Sequence, residues 1–330
     1  MISGKKEKDM KSLKIIFMGT PDFSVPMLDV LNKSRHEITA VVTASDKPAG
    51  RGQKINVSPI KKYAEQNQLK LLQPVNLKDE TFVEQLKKLE ADLFVVIAFR
   101  MLPEKVWALP PLGTINLHAS LLPQYRGAAP INWAIINGET ETGLTTFFIE
   151  KEIDTGKIID QIKTKINFDM DVGDLYLKLI ELGKILILKT VNEISINNIT
   201  ATNQKKFEIE KLKNAPKIFK KDCYVDWTDK AVDVYNKIRG LSPYPGAKCT
   251  LYNIKKEKAF MFKLLKAEIP TVQSNLEEPI KASESGILFA CNDNYICISK
   301  IQLEGKKAMN FKEFLAGNNL NDWRVYNPSN

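Results

Sequence analysis

Short apolar runs alternate with segments of helical spacing through the first 200 residues of the chain. The apolar runs have strand length, and the fourth run is apolar throughout, as in strands buried on both faces. Alternation of strand and helix is typical of α/β folds, so we predict a Rossmann-like, mostly parallel sheet. The predicted strands are Lys14–Met18, Ile38–Thr43, Leu69–Gln73, Leu93–Phe99, Gly113–His118 and Leu144–Ile149, with helices near 24–33, 59–67, 79–90 and 129–137.

The pattern changes after residue 200. A long helical pattern from Asp171 to about Asn192 closes the first region, and the polar stretch Asn197–Asn203 follows it. A helix capped by Thr228 is predicted to run to Leu241, before the turn signal of residues 242–246, SPYPG. Short strand-like runs then follow without a long helix, which favours a smaller, OB-like β-barrel. These runs are Lys248–Tyr252, Ala259–Lys266, Gly286–Ala290 and Tyr295–Ile301.

These patterns divide the 330 residues into four parts. We expect residues 1–12 to form a mobile tail and residues 13–200 to form the first domain. Residues 201–218 then form a basic linker, and residues 219–330 form the second domain. A chain of this length exceeds one typical core, so two domains are expected.

Positive charge is concentrated in the second part of the chain. The net charge is +9, of which residues 201–330 contribute +7. The excess includes the lysines Lys205, Lys206, Lys211, Lys213, Lys217, Lys220 and Lys221. Such a cluster attracts polyanions, and it is equally compatible with an ordinary solvated linker.

Several classes of protein are disfavoured. The four cysteines form no C-x-x-C pair and have no nearby histidine, so we expect no zinc site, no metal and a reducing cytoplasm. The N-terminal apolar run is too short to span a membrane. Gly19 lacks the further glycines of a dinucleotide fingerprint, and Gly50 and Gly52 lack the spacing of a phosphate-binding P-loop.

The candidate chemistry lies at the end of the fifth strand. Asn116, His118 and Ser120 alternate onto one face where an apolar run enters a polar turn. Asp154 follows the next predicted strand, so we expect it at the same edge of the sheet, near the imidazole. This arrangement suits acyl transfer without a protein nucleophile. A core histidine, a strand-end asparagine and a plain turn explain the same residues, and the spacing alone leaves both interpretations open.

Residues 115–130, INLHASLLPQYRGAAP, with the downstream Asp154-Thr-Gly, resemble the signature of enzymes that transfer formyl from 10-formyltetrahydrofolate. Within that superfamily, GTPDF at 19–23, KPAGRG at 47–52 and the extra C-terminal domain resemble the methionyl-tRNA formyltransferase family. The resemblance extends from about Leu13 to the SPYPG segment.

The resemblance implies direct formyl transfer to the free α-amine of methionyl-initiator tRNA, without a metal. Asn116, His118 and Asp154 correspond to the catalytic trio. Asn116 and protonated His118 would stabilise the oxyanion, and Asp154 would orient His118. The folate co-substrate would contact Ser120, Leu121, Leu122 and Pro123.

The resemblance also implies that the basic loop 44–62 enters the tRNA acceptor stem, with Arg51 as its principal contact, helped by Lys47 and Lys54. Lys217, Lys220 and Lys221 are predicted to continue the phosphate contacts, and Phe219 is predicted to lie in the core. We expect a monomer. A related formyltransferase acting on an amino sugar nucleotide, and a catalytically silent RNA-binding protein, are the alternatives.

Two positions depart from the family pattern. Phe99-Arg100 replaces a Tyr-Gly pair, and Glu152 replaces a glycine two residues before Asp154. We expect these side chains to point away from the folate, or the pocket to differ in shape. Arg126 has two interpretations, binding the acidic tail of folate or anchoring the turn, and we favour the anchoring role.

Overall fold

The computed structural model describes residues 11–49, 54–204, 212–271 and 276–326. The side chains of residues 47–49 and 54–56 are outside this description, as is most of the predicted tail at 1–12. Contacts group the chain into two compact units. The first comprises residues 1–127, 143–164 and 178–213, and the second comprises 128–142, 165–177 and 214–330. The sequence predicted a single boundary, at 201–218. In the structure, two earlier segments, 128–142 and 165–177, also belong to the second unit.

The strands and helices predicted up to residue 200 are all present, and the described residues contain four further strands and one further helix that were not predicted. The strands are β1 (Lys14–Gly19), β2 (Glu37–Val42), β3 (Lys47–Ala49), β4 (Lys54–Asn56), β5 (Leu71–Leu72), β6 (Leu93–Ile97), β7 (Thr114–His118), β8 (Arg126–Gly127), β9 (Glu141–Phe148) and β10 (Ile158–Lys165). The helices are α1 (Val25–Asn32), α2 (Pro59–Gln66), α3 (Glu80–Lys87), α4 (Glu104–Trp107), α5 (Pro130–Ile136) and α6 (Val172–Ser195).

The main sheet of the first unit has the strand order β10-β9-β7-β6-β1-β2-β5. The pairs from β7 to β5 are parallel, as predicted. The prediction that the run at Leu144–Ile149 is also parallel was wrong, because β9 pairs with β7 in the antiparallel sense. An apolar run indicates that a strand is buried, but it does not indicate the direction in which the strand runs. The sheet is therefore mixed, and its parallel part ends at β7.

Helices cover both faces of this sheet. On one face, Phe82 and Leu86 of α3 and Val106 of α4 pack in a cluster with Ile16 and Met18 of β1. On the other face, Gly183 of α6 lies so close to Met27 of α1 that an added Cβ would be 2.3 Å from the methionine methyl group. Burial of both faces explains why β1 and β6 are apolar along nearly their whole length.

Side-chain caps mark the start of one helix, and a predicted cap is absent from another. Ser58 accepts a hydrogen bond from the backbone N–H of Lys61 and so caps α2. The predicted cap at Thr228 was wrong. Its hydroxyl donates instead to Asp226 in the preceding turn, and α7 begins at Ala231 after Lys230.

The second unit contains a nearly closed antiparallel barrel with the strand order β14-β15-β16-β13-β12-β18, and β17 pairs with β16. Its aromatic core includes Phe262, Phe314 and Trp323. The smaller β-barrel predicted from the sequence is confirmed. Its elements are β11 (Asn214–Ala215), α7 (Ala231–Leu241), β12 (Ala247–Asn253), β13 (Lys258–Glu268), β14 (Ile280–Ala282), β15 (Ile287–Ala290), β16 (Tyr295–Leu303), β17 (Met309–Asn310), α8 (Phe311–Ala316) and β18 (Trp323–Val325).

Candidate active site

His118 is the last residue of β7 and is almost completely buried, with 6% of its surface exposed. Its Nε2 lies 2.8 Å from the backbone carbonyl oxygen of Tyr125. A carbonyl oxygen only accepts hydrogen bonds, so Nε2 carries a proton. This bond fixes the ring orientation and leaves Nδ1 as the nitrogen that faces the rest of the site.

Asp154 lies in the connection between β9 and β10. Its Oδ2 is 3.7 Å from Nδ1 of His118 and accepts a hydrogen bond of 3.0 Å from the backbone N–H of Gly127. The expected proximity is therefore present, but the reason given for it was wrong. Because β9 is antiparallel to β7, it runs away from the edge at which His118 lies, and the following turn brings Asp154 back.

The backbone around this pair is unusual. Asp154 has φ of +55° and Tyr125 has φ of +60°, so both adopt the left-handed conformation. Non-glycine residues rarely adopt it, and they do so only where surrounding contacts enforce it. Both residues act directly on His118, one through its carboxylate and the other through its carbonyl. Two of the described non-glycine residues with positive φ are therefore the residues that orient the histidine.

Asn116 precedes His118 by two residues on β7, and its Oδ1 is buried without a hydrogen-bond partner among the described residues. A buried polar atom without a partner costs roughly 1–3 kcal/mol, and such atoms are rare in folded proteins. An amide in this state is available to a bound molecule. Asn116, His118 and Asp154 thus supply an amide, an imidazole and a carboxylate to one small region.

Gly156 allows the turn after Asp154 to pack closely. A Cβ at this position would lie 1.7 Å from the carbonyl oxygen of Phe148. No side chain fits at that distance, so a glycine at position 156 is a steric requirement of this turn.

The loop 119–126, which follows His118, is held by buried hydrogen bonds. The Thr145 hydroxyl accepts from the N–H of Leu122 at 3.1 Å and donates to the carbonyl of Ser120 at 2.7 Å. Gln161 donates to the carbonyl of Leu122 at 3.0 Å. Of the predicted folate contacts, Ser120, Leu122 and Pro123 are buried, and Leu121 is partly exposed. The Ser120 hydroxyl donates to the carbonyl of Gln124, so it has a structural partner.

The two departures from the family pattern have distinct environments. The Arg100 guanidinium donates to the backbone carbonyls of Pro74 and Val75 and lies 5.5 Å from the Phe99 ring centroid. Glu152 is exposed to solvent. Arg126 donates through Nε and Nη2 to Oε1 of Gln204, as expected of a residue that anchors the turn.

The predicted basic contacts are only partly described. Lys217, Lys220 and Lys221 are all exposed on the second unit. Lys47 and Lys54 belong to the antiparallel pair β3–β4, and Arg51 lies outside the described residues. The prediction that Phe219 belongs to the core was wrong, because 55% of its surface is exposed and Nζ of Lys217 lies 5.6 Å from its ring centroid.

Sequence reasoning missed the residues that hold the site together. Thr145, Gln161 and Gln204 form side-chain hydrogen bonds with the backbone of the loop 119–126 or the turn at Asp154. None lies in a recognisable motif, and Gln204 lies within residues 201–218, which were interpreted as a basic linker. Alternation placed Thr145 in a strand but gave no sign of its bonds.

Groups that would suggest other chemistry do not assemble in the described ranges. No cluster of potential metal ligands is found among these residues. The four cysteines are buried, and burial raises the pKa of Cys249 and Cys291 to about 12, so these thiols are protonated near neutral pH. None of the described helices has the length and apolar character needed to cross a bilayer.

Comparison with known proteins identifies relatives of both parts of the chain. The Formyl transferase family profile matches residues 13–191, and the Formyl transferase, C-terminal domain profile matches residues 217–319. The methionyl-tRNA formyltransferase of Flavobacterium psychrophilum is 48% identical over 309 residues, which cover 93% of this chain and 97% of that protein. The enzyme of the same name from Bacteroides thetaiotaomicron is 46% identical over 94% of this chain and 98% of that protein.

Solved structures share the fold at lower identity. WlaRD, a sugar 3N-formyl transferase, has a TM-score of 0.63 and 20% identity, with coverage of 90% of this chain and 100% of that one. HypX from Aquifex aeolicus in complex with tetrahydrofolic acid has a TM-score of 0.62 and 18% identity, with coverage of 92% of this chain and 47% of that one. At these identities, the likeness establishes the architecture alone.

Proposed function

Because this chain belongs to the methionyl-tRNA formyltransferase family, we propose that it transfers the formyl group of 10-formyltetrahydrofolate to the α-amine of methionyl-initiator tRNA. Relatives that carry this name match nearly the whole chain at 44–48% identity. The observation that carries the chemical part of the proposal is the approach of Nδ1 of His118 to Oδ2 of Asp154, beside the unpartnered amide oxygen of Asn116.

In the proposed reaction, the α-amine of the methionyl group forms a bond to the formyl carbon, and the bond from that carbon to the folate nitrogen breaks. The proton lost by the amine goes to the departing folate nitrogen, so the products are N-formylmethionyl-tRNA and tetrahydrofolate. Asn116, through the N–H groups of its side-chain amide, and His118 stabilise negative charge on the formyl oxygen as the amine attacks, because fixed hydrogen-bond donors are most effective in a site that excludes water. The unpartnered Oδ1 of Asn116 is an acceptor and can bind an N–H of the attacking amine. His118 acts through Nδ1, since Nε2 is bound to the Tyr125 carbonyl. The carboxylate of Asp154 stabilises the protonated imidazole.

The residues present fit a folate donor. Asn116 keeps an unpartnered buried polar atom, and the Ser120–Pro123 segment lies directly after His118. We assign Ser120, Leu121, Leu122 and Pro123 to donor binding, with Leu121 offering a partly exposed apolar side chain and the others contributing shape and backbone. Thr145 and Gln161 keep this segment rigid, so little ordering accompanies binding.

We assign tRNA binding to exposed lysines and to the β3–β4 segment. Lys217, Lys220 and Lys221 are exposed within five positions of the chain, a spacing that suits contacts with successive phosphates. Arg51, Lys47 and Lys54 are assigned to the acceptor stem on the basis of the family motif. We propose a monomer that acts in the reducing cytoplasm.

The substrate is tested by offering two amine acceptors side by side. Purified protein with 10-formyltetrahydrofolate should formylate methionyl-initiator tRNA and leave uridine-linked 4-amino-arabinose unchanged. Preference for the sugar would establish the alternative of an amino sugar nucleotide formyltransferase. Tight tRNA binding without turnover of either acceptor would establish a silent RNA-binding protein.

The lysine assignment is tested by salt dependence. Replacing Lys217, Lys220 and Lys221 together with alanine should weaken tRNA binding and reduce the slope of log affinity against log salt by roughly two to three units. A matched triple variant of Lys255, Lys256 and Lys258, exposed at another place on the same unit, should retain the wild-type slope. Equal slopes for both triples would remove these residues from the proposed contact.

A further inference from the structure

Gln204 is buried, with 4% of its surface exposed. Both the nitrogen and the oxygen of its side-chain amide form hydrogen bonds. Its Nε2 donates to the carbonyl oxygens of Asp154 at 3.0 Å and Gly156 at 2.7 Å. Its Oε1 accepts from Nε of Arg126 at 3.2 Å and Nη2 at 2.7 Å. The amide therefore uses both N–H donors and accepts two hydrogen bonds.

The two segments joined by Gln204 are those that orient the catalytic pair. One is the turn at Asp154, whose carbonyls on either side of Thr155 both bind the Gln204 amide. The other contains Arg126 and Gly127, and the N–H of Gly127 binds the Asp154 carboxylate. Gln204 thus closes a ring of hydrogen bonds around Asp154.

Contacts near Gln204 reinforce this arrangement. Thr202 pairs with Ile158, the first residue of β10, through two backbone hydrogen bonds of 2.8 Å. The carbonyl of Lys213 accepts from the N–H of Tyr125 at 2.7 Å. Tyr125 is the residue whose own carbonyl binds His118. Thr202 and Lys213, on either side of residues 205–211, therefore form hydrogen bonds with the segments that position Asp154 and His118.

The left-handed backbone of Asp154 explains why such support is needed. A non-glycine residue with φ of +55° relaxes toward a more favourable conformation unless its neighbours prevent it. Rotation of the turn would carry the carboxylate away from His118. The two hydrogen bonds from Gln204 to the carbonyls of Asp154 and Gly156 oppose that rotation.

We propose that Gln204 is a positioning residue for the reaction, which holds the Asp154 carboxylate at the His118 imidazole. This inference rests on the proposed function, since it assigns the role of Asp154 to that reaction. All four hydrogen bonds of the Gln204 amide described above go to other groups of the protein. Gln204 acts on the rate through the placement of Asp154, and misplacement of a catalytic group by about 1 Å is enough to lower a rate on the order of 100-fold.

Two variants separate positioning from stability. Gln204→Ala removes all four hydrogen bonds, whereas Gln204→Glu keeps an acceptor for Arg126 and loses both donors to the turn. We expect each to lower kcat about 10- to 100-fold with little change in KM for the formyl donor, because Thr145 and Gln161 still hold the donor loop. Gln204→Glu should keep the thermal stability closer to wild type. Asn192→Ala is the matched control, since it removes another amide of the same unit, bound to His36, and should leave kcat unchanged.

A double-mutant cycle with Asp154→Asn decides the mechanism. If Gln204 acts through Asp154, then Gln204→Ala should change kcat by less than about 3-fold in the Asp154→Asn background. If the kcat losses of the two single variants multiply in the double variant, the proposal is overturned. Normal turnover by Gln204→Glu would also overturn it.

A readout independent of turnover is available because the chain has only two histidines. In NMR spectra, Gln204→Ala should shift the ring resonances of His118 and leave those of His36 in place. An unchanged His118 spectrum would overturn the proposal even if activity fell. Failure of the wild-type protein to formylate tRNA would refute the proposed function, whereas the His118 spectrum tests the role of Gln204 separately.

Discussion

The edge of the sheet around His118 and the antiparallel barrel of the second unit are built in different ways. At the edge, Tyr125 and Asp154 adopt left-handed backbone, and side-chain amides and hydroxyls bind irregular loops. In the barrel, regular ladders alternate buried and partly buried positions, as in β12, where every second residue is buried. Phe262 packs edge-on against Phe314 and Trp323 at centroid distances of 5.6 and 5.5 Å.

The two regions use different kinds of interaction. The barrel core consists mainly of apolar contacts, which stabilise the fold but do not set the position of a particular reactive group. The edge holds two non-glycine residues in unfavourable backbone conformations, and these residues fix an imidazole beside a carboxylate. Substitutions in the two regions should therefore affect different measurements.

The largest effect should come from His118→Ala. Loss of the imidazole should lower kcat roughly 10²- to 10⁴-fold, the usual contribution of a positioned acid–base group. Affinity for tRNA should remain within about 2-fold, because the lysines that we assign to tRNA are unchanged. Single-turnover formylation and a filter-binding assay measure the two quantities.

The matched control for this variant is His36→Gln, at the only other histidine. It should keep the wild-type kcat. Normal turnover by His118→Ala would show that the residues at this edge of the sheet do not take part in the reaction. The contrast between edge and barrel would then have no bearing on catalysis.

Phe262→Ala should give the opposite pattern. Removing a core ring that is 1% exposed should lower the free energy of unfolding by about 3–5 kcal/mol. Turnover per folded molecule should change little, since Phe262 touches no group assigned to the reaction. Urea unfolding followed by circular dichroism, with kcat measured at low temperature, tests both expectations.

Phe219→Ala is the control on the same unit, because its ring is 55% exposed. It should change the unfolding free energy by less than about 0.5 kcal/mol. A large loss of stability there, or a small one at Phe262, would contradict the described packing of the barrel.

The smallest effect should be a dependence of stability on pH, located in the first unit. Nδ1 of His36 accepts from the N–H of Leu13 at 3.2 Å, and Nε2 lies 3.0 Å from Oδ1 of Asn192. Burial holds the pKa of His36 below its ordinary value of 6.5, and Arg35 adds to this while the bond to Asn192 opposes it.

The unfolded chain therefore binds a proton at His36 more readily than the folded chain does. The stabilising contribution is complete above pH 6.5 and is lost as the pH falls through the lowered pKa of the folded state. Melting temperatures recorded from pH 8 to 5 should fall less for His36→Gln than for the wild type. Parallel curves for the two proteins would exclude His36 as a source of acid sensitivity.

Regular elements were predictable wherever burial alone determines them. The apolar runs at β1, β2, β6 and β7 gave the parallel part of the sheet, and alternation gave the long strands of the barrel. The direction of β9 was not predictable, because Leu144–Ile149 has the same pattern whichever way the strand runs. β10 was missed, since its eight residues include Asp160, Gln161, Lys163 and Lys165 and are nowhere fully buried.

Only the reactive side chains of the site could be predicted from the sequence. His118 and Asn116 follow from their place at a strand end, and Asp154 was found through an incorrect strand direction. The supporting residues Gln204, Gln161 and Thr145 were missed, because one side-chain amide or hydroxyl among many gives no periodic signal. Phe219 was misplaced because an aromatic residue is usually buried, and here lysines accompany it at the surface.

The close approach of Gly156 to the carbonyl of Phe148 sets a limit on redesign. A library that randomises the turn will lose nearly every member altered at position 156, whereas the exposed Lys151 and Glu152 tolerate new side chains without steric conflict. Efforts to reshape this turn should therefore concentrate diversity on those two positions and keep the glycine invariant.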